Sequence, residues 1–180
     1  MDENLNWVEH INMLIKKIIP VTRTFFRIGK YLTSDMKRSI YFAHIHSHLN
    51  FLANIWGHCA YFLIQRLEVA QKRALKILFR LNPRTPSEKV FADLNVSPVS
   101  KLVKIKSALF FGKVQNNVIE IDLNFQKGSD LHNYQTRGSE QLRTPSIPKS
   151  KKYGTNGIMF KNIEICNSLH EYIKNSNITK

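Results

Sequence analysis

Apolar residues recur at every third or fourth position through most of the first 115 residues, the spacing of one face of an α-helix. Trp7, Ile11, Leu14 and Ile18 make the first such stripe, so helix is expected from about Leu5 to Lys30. Pro20 breaks the pattern. A proline lacks the N–H donor and clashes with the turn before it, so Pro20 is expected to open a new helix rather than sit inside one. Val21, Phe25, Ile28 and Leu32 form the stripe beyond it. Thr33 or Ser34 can cap a third helix by accepting an N–H from its first turn, and Asp35 suits the positive end of the dipole. That helix carries Met36, Ile40, Tyr41 and Ile45 and is expected to run to Trp56, with Gly57 as its stop.

The clearest helix spans Tyr61 to Leu81. Leu67, Ala70, Ala74, Ile77, Leu78 and Leu81 are expected inward, and Asn82-Pro83 ends it. Thr85-Pro86-Ser87-Glu88 reads as a capping box for a short helix holding Val90, Phe91 and Leu94. Ser97-Pro98 then opens a last long helix, with Leu102, Ile105 and Leu109 expected buried and Lys101 and Lys104 outward. From about Gln126 the periodicity dissolves into Gly, Ser, Pro, Asn and Lys, too poor in large apolar groups to offset the entropy of ordering. A closing helix is expected around Ile165, Leu169, Tyr172 and Ile173. The expected fold is therefore mainly α. A small helical bundle occupies residues 1–125, an irregular, partly disordered basic segment 126–157, and a short C-terminal helix 158–180.

Charge adds a partner to this picture. The chain carries 27 Lys and Arg against 13 Asp and Glu, a formal net charge of +14, which points to a polyanion and most simply to nucleic acid. The cations are not scattered. Arg23, Arg27 and Lys30 lie opposite the Val21–Leu32 stripe, with Lys16 and Lys17 a turn or two before them. Arg73, Lys76 and Arg80 line one face of the Tyr61–Leu81 helix. Cations arranged this way can track phosphates without reading sequence. Trp7 and Trp56 fall at helical apolar spacing and are read as core residues rather than as platforms for bases.

Other chemistries find little footing. His44, His46 and His48 form the most metal-like string, but on a helix only His44 and His48 share a face and no carboxylate or cysteine completes a shell, so no metal is expected. Cys59 and Cys166 are too few and too far apart for a zinc site and read as reduced thiols. Glu120 and Asp122 read as exposed charges at a helix end. No apolar run reaches the roughly 20 residues of a membrane span, and the acidic, polar start is unlike a signal peptide. The expected location is intracellular, in nucleus or cytoplasm, and not secreted.

The stretch from His132 to Phe160, HNYQTRGSEQLRTPSIPKSKKYGTNGIMF, resembles a peptide near the C-terminal end of reverse transcriptases from non-LTR, LINE-type retrotransposons of the jockey and related clades. Tyr134, Thr136 and Arg137 match that family's Tyr-x-Thr-Arg block, and a proline-interrupted basic stretch follows. Gly157 and Phe160 stand at its Gly-x-x-Trp-Asn step. Phe160 replaces the tryptophan, Lys161 the asparagine and Glu164 a later proline, so the turn chemistry of Asn and Pro is lost. Leu5–Ile18, Ser47–Gly57 and Leu67–Leu81 resemble, in order, helical segments that follow the family's palm domain.

The resemblance implies an RNA-directed DNA polymerase in which this chain is a thumb-like and connecting region, gripping the template–primer duplex beside the rest of the polymerase. It also implies Mg²⁺ held by palm carboxylates. Asp2, Asp35, Asp93, Asp122 and Asp130 are all isolated and no Asp-Asp pair exists, so this chain brings no cofactor of its own and is not expected to polymerise by itself. The alternatives are a helical protein-interaction module repurposed from the element and an inert translated relic.

Overall fold

The computed structural model describes residues 7–115 and 158–168, together with positions 118, 130 and 134. The described residues are mainly helical and include no strand. By packing the chain divides into two compact units, Met1–Val103 and Lys104–Lys180.

In the first unit α1 (Val8–Ile28) is one continuous helix with Pro20 inside it, contrary to the expected restart. Burial on both sides of the proline explains this. Ile11, Leu14 and Ile18 before it and Phe25 after it all pack into one core, so both halves are held to the same axis. Pro20 and Lys16, whose carbonyl the missing N–H would have met, are both exposed. The Thr22 hydroxyl donates to the Ile18 carbonyl at 2.8 Å and Thr24 to that of Pro20 at 3.3 Å.

Thr33 caps α2 (Ser34–Tyr41) as expected, its Oγ1 accepting from the Met36 N–H. The single helix expected from there to Trp56 does not form. The chain widens into a π-helical stretch at Phe42–His46, continues as α3 (Ser47–Asn50), breaks at Phe51 and Leu52, and resumes as α4 (Ala53–Trp56). Leu52 takes a left-handed φ of 51°, and the Trp56 indole N–H donates across the break to the Phe51 carbonyl at 2.7 Å. Ala53 and Trp56, beyond the break, are buried in the same core as Ile45 and Leu49 before it. In the histidine string His44 is exposed and His46 and His48 are half-buried, His46 lying against the Phe42 ring at 4.8 Å. Among the described residues no three His, Cys, Asp or Glu side chains gather as metal ligands.

α5 (Tyr61–Leu78) runs parallel to α1. The Arg66 guanidinium donates to Asn12 Oδ1 at 3.2 Å near the N-terminal ends, while a Cβ on Gly29 would lie 3.0 Å from the Leu78 carbonyl at the C-terminal ends. Leu63, Leu67, Ala74, Leu75 and Leu78 are buried between α5 and its neighbours. α5 stops at Leu78, not Leu81: Arg80 adopts a left-handed φ of 54°, and the Leu81 N–H returns to the Lys76 carbonyl at 2.9 Å and that of Arg80 to Ile77 at 3.3 Å. This is a Schellman stop with arginine in the place glycine favours. α6 (Ser87–Asp93) ends the same way on Asn95, whose φ is 48°.

The expected capping box before α6 does not form. Pro86 has an extended ψ of 144° and so stands outside the helix, and Thr85 lies one position too early to cap it. The Lys72 ammonium instead donates to Ser87 Oγ at 2.8 Å. Arg38 closes the far end of α6 by donating to the Leu94 carbonyl at 2.6 Å.

α7 (Val99–Gln115) crosses the division between the two units. It buries Val99, Leu102 and Val103 in the first unit and Ser107, Phe111 and Val114 in the second. Ile105 is 40 % exposed and Leu109 only half-buried, against expectation. Apolar residues fall on more than one side of the helix between its lysines, so its sequence offered two stripes, and the one through Val99, Val103, Ser107 and Phe111 is the buried one. Lys101 and Lys104 are exposed as expected.

In the second unit α8 (Ile158–Ser168) buries Asn162 and Ile163 and carries a Lys161–Glu164 ion pair at 2.8 Å. The expected centre at Ile165 is half-buried, and Leu169, Tyr172 and Ile173 lie outside the described residues. So do Glu120, Asp122 and all of the 126–157 segment but exposed Asp130 and Tyr134. No helix among the described residues is long and apolar enough to cross a membrane.

Candidate functional site

Because α1 and α5 run side by side, each must turn one flank outward along the line where they meet. On α1 that flank is Ile15, Ile19, Thr22 and Phe26; on α5 it is Phe62, Val69, Arg73 and Ile77. The two flanks enclose a cleft of about 1220 Å³. A second cleft of about 660 Å³, towards the end of α5, shares Phe26, Val69, Arg73 and Ile77 with the first, so the two make one continuous groove.

The groove has an apolar floor and a cationic rim. Phe26 is 69 % exposed, and Phe62 and Val69 are 57 % exposed, so these apolar side chains stand open to solvent along it. Arg23 and Arg27 stand along the α1 side, and Arg66 and Arg73 along the α5 side. Lys72, Lys76 and Arg80 continue the rim round the smaller cleft. Among the described residues no aspartate or glutamate lines either part.

The two basic faces chosen from sequence are thus brought together, though not every member takes part. Arg23, Arg27, Arg73 and Arg80 line the groove. Lys76 lines it too, but its ammonium already donates to the carbonyls of Pro83 at 2.6 Å and Thr85 at 2.7 Å, which makes it a strut for the turn after α5. Lys16 lies on the same stripe of α1 as Arg23 and Arg27, seven and eleven residues apart, but beyond the lining of either cleft. Lys17 stands two residues, about 200° of helix rotation, from both Ile15 and Ile19, so it points away from the groove. Lys30 follows the end of α1 and lies over the Tyr31 ring at 4.5 Å.

Sequence reading missed Arg66, Lys72 and the two phenylalanines. Arg66 stands seven residues before Arg73, on the same face. The clue to Phe26 was its neighbour: with Phe25 in the core, a helix rotates the next residue about 100° away from it. Trp56 is 1 % exposed and Trp7 half-buried, so both belong to the core as read. Of the tail motif, Tyr134 is exposed and Phe160 lies in the first turn of α8, while Thr136, Arg137 and Gly157 fall outside what can be described (Phe160 and Gly157 flank the start of that helix in sequence). The Cys59 thiol is half-buried, and burial pushes its pKa up to about 11, so it stays protonated at neutral pH.

Arg80 serves both the rim and the backbone, and the two roles can be separated. A non-glycine residue in the left-handed region costs roughly 1 kcal/mol. Arg80→Gly is therefore expected to raise stability by up to about that much while removing one rim charge, read as a higher denaturant midpoint.

Compared with protein-family models, curated proteins and solved structures, the chain matches none.

Proposed function

We propose that this chain is a thumb-like helical segment of a LINE-type reverse transcriptase and holds nucleic acid, without reading its sequence, in the groove between α1 and α5. One observation carries the reading. Two cationic faces on helices far apart in sequence line a single groove, and no carboxylate lines it among the described residues. The order of the family-like segments supports the same assignment. Template and primer are the partners, and the remainder of the polymerase is a neighbour that supplies the Mg²⁺-binding carboxylates. The chain's own part is to grip, from the nucleus or cytoplasm where such a template is found. The apolar floor favours a second reading, a repurposed protein-interaction module that receives an amphipathic helix.

The salt response separates the two. Each phosphate neutralised releases counterion, so log affinity falls with log salt by about 0.9 per contact on duplex DNA. Arg23→Gln, Arg27→Gln and Arg73→Gln together are expected to lower that slope by about 2.7 with helicity unchanged, because all three positions are exposed. Lys76 is left intact because it also braces a turn. Fluorescence anisotropy across a salt series measures the slope. An unchanged slope leaves the interaction module or an inert relic.

A further inference from the structure

We infer that the groove takes a single strand with unstacked bases in preference to a duplex, and that Phe26 and Phe62 are the surfaces on which bases stack. This rests on the groove being a nucleic-acid site, and it gives the groove the unpaired stretch of the template rather than the paired template–primer. A duplex hides the faces of its bases and offers a protein surface mainly phosphates and sugars. Against such a partner the exposed rings of Phe26 and Phe62 would meet charge and water. A single strand offers both chemistries at once: phosphates for the rim and base faces for the floor.

The rim fits that partner in detail. Among the described residues, its members beside the larger cleft, Arg23, Arg27, Arg66 and Arg73, are all arginine. The planar guanidinium pairs phosphate oxygens through two parallel N–H donors and also lies flat against a ring, which an ammonium cannot do. The Arg66 side chain is already steadied by its bond to Asn12 Oδ1. From Ile15 to Arg27 the α1 wall is about 18 Å long, enough for a few extended nucleotides. An acidic amphipathic helix would set its carboxylates at intervals, whereas this rim is positive on both sides and along its length, as a uniformly charged strand requires. Sequence preference is not expected, since every base has a face to stack.

The test compares the full chain's affinity for oligothymidine of about 12 nucleotides with its affinity for the matching duplex, at two salt concentrations. The single strand is expected to bind at least several-fold tighter. Phe26→Ala with Phe62→Ala is expected to weaken the single strand roughly 30-fold or more, at about 1 kcal/mol or more per base stacked, while its salt slope stays the same. Phe26→Leu with Phe62→Leu is expected to lose nearly as much, because leucine keeps the apolar bulk and lacks the π face. Both side chains project from the surface, and circular dichroism checks that the helices persist. Equal or tighter binding of duplex, or full affinity in the leucine variant, would overturn the stacking inference and leave the grip on nucleic acid standing. Binding to neither nucleic acid would overturn both. An acidic helical peptide that binds in their place, and tolerates leucine, would assign the groove to a protein partner.

Discussion

Gln71→Leu is expected to lower the stability of the fold by about 3–5 kcal/mol, the sum of several unsatisfied groups at roughly 1–3 kcal/mol each. Gln71 is fully buried on α5, and its amide is used at both ends. Nε2 donates to the Tyr41 hydroxyl at 2.8 Å and to the Ser97 carbonyl at 3.0 Å, and Oε1 accepts from the Val99 N–H at 3.1 Å. One side chain thereby ties the end of α2 and the start of α7 to α5. Leucine fills nearly the same volume but leaves the hydroxyl, the carbonyl and the N–H dry. Burial pushes the Tyr41 hydroxyl's pKa up to about 12, so it stays protonated, a buried polar group left in need of a partner. Urea unfolding followed by circular dichroism should show a lower midpoint with the slope kept. Adding Tyr41→Phe should recover part of the loss, since removing both partners costs less than stranding one. A shift of less than about 1 kcal/mol for Gln71→Leu would show that the amide holds little of the fold together.

Gly57→Ala is expected to cost about 1–3 kcal/mol for a single added methyl. The φ at Gly57 is −66°, which any residue can adopt, so conformational freedom is not what the position needs. Space is. A Cβ there would overlap the Ala53 carbonyl oxygen and both methyls of Val103, a buried residue of α7. The backbone oxygen cannot retreat without opening the end of α4. Thermal unfolding measures the loss, and Val103→Ala in the same chain should restore part of it by clearing one of the two clashes. If the double variant is simply less stable by the sum of both changes, the methyl was not the obstacle.

The failures of pattern reading along this chain have physical causes that differ from place to place. Pro20 breaks a rule about helix interiors that holds for an isolated helix, but here both halves of α1 are anchored in one core and the unpaired carbonyl belongs to an exposed residue. The helix drawn straight to Trp56 is interrupted where Leu52 turns left-handed and the Phe51 carbonyl accepts from the Trp56 indole N–H, a tie that apolar spacing does not show. The capping box had the right letters one position out of place, and Lys72, which occupies Ser87 instead, reaches it from a different helix. Ile105 and Leu109 were chosen where two apolar stripes competed. Gly57 does end α4 as read, but it is needed there for its lack of a side chain and not for its conformation.

Helical character, the cap at Thr33, the exposure of the arginines on α1 and α5 and the burial of Trp56 all follow from spacing and local chemistry. Such features depend on residues within a turn or two of one another, and periodicity carries that information directly. The groove does not. It exists because α1 lies parallel to α5, a pairing between residues 54 positions apart at Asn12 and Arg66. No local pattern encodes which flank of each helix the other leaves uncovered. Arg23 and Arg73 face one cleft, Lys17 faces away from it, and Lys76 is drawn into bracing a turn, although all four read alike as cations on helices. Long-range packing makes that choice, because burying the Leu14 and Leu67 stripes against each other fixes the rotation of both helices at once.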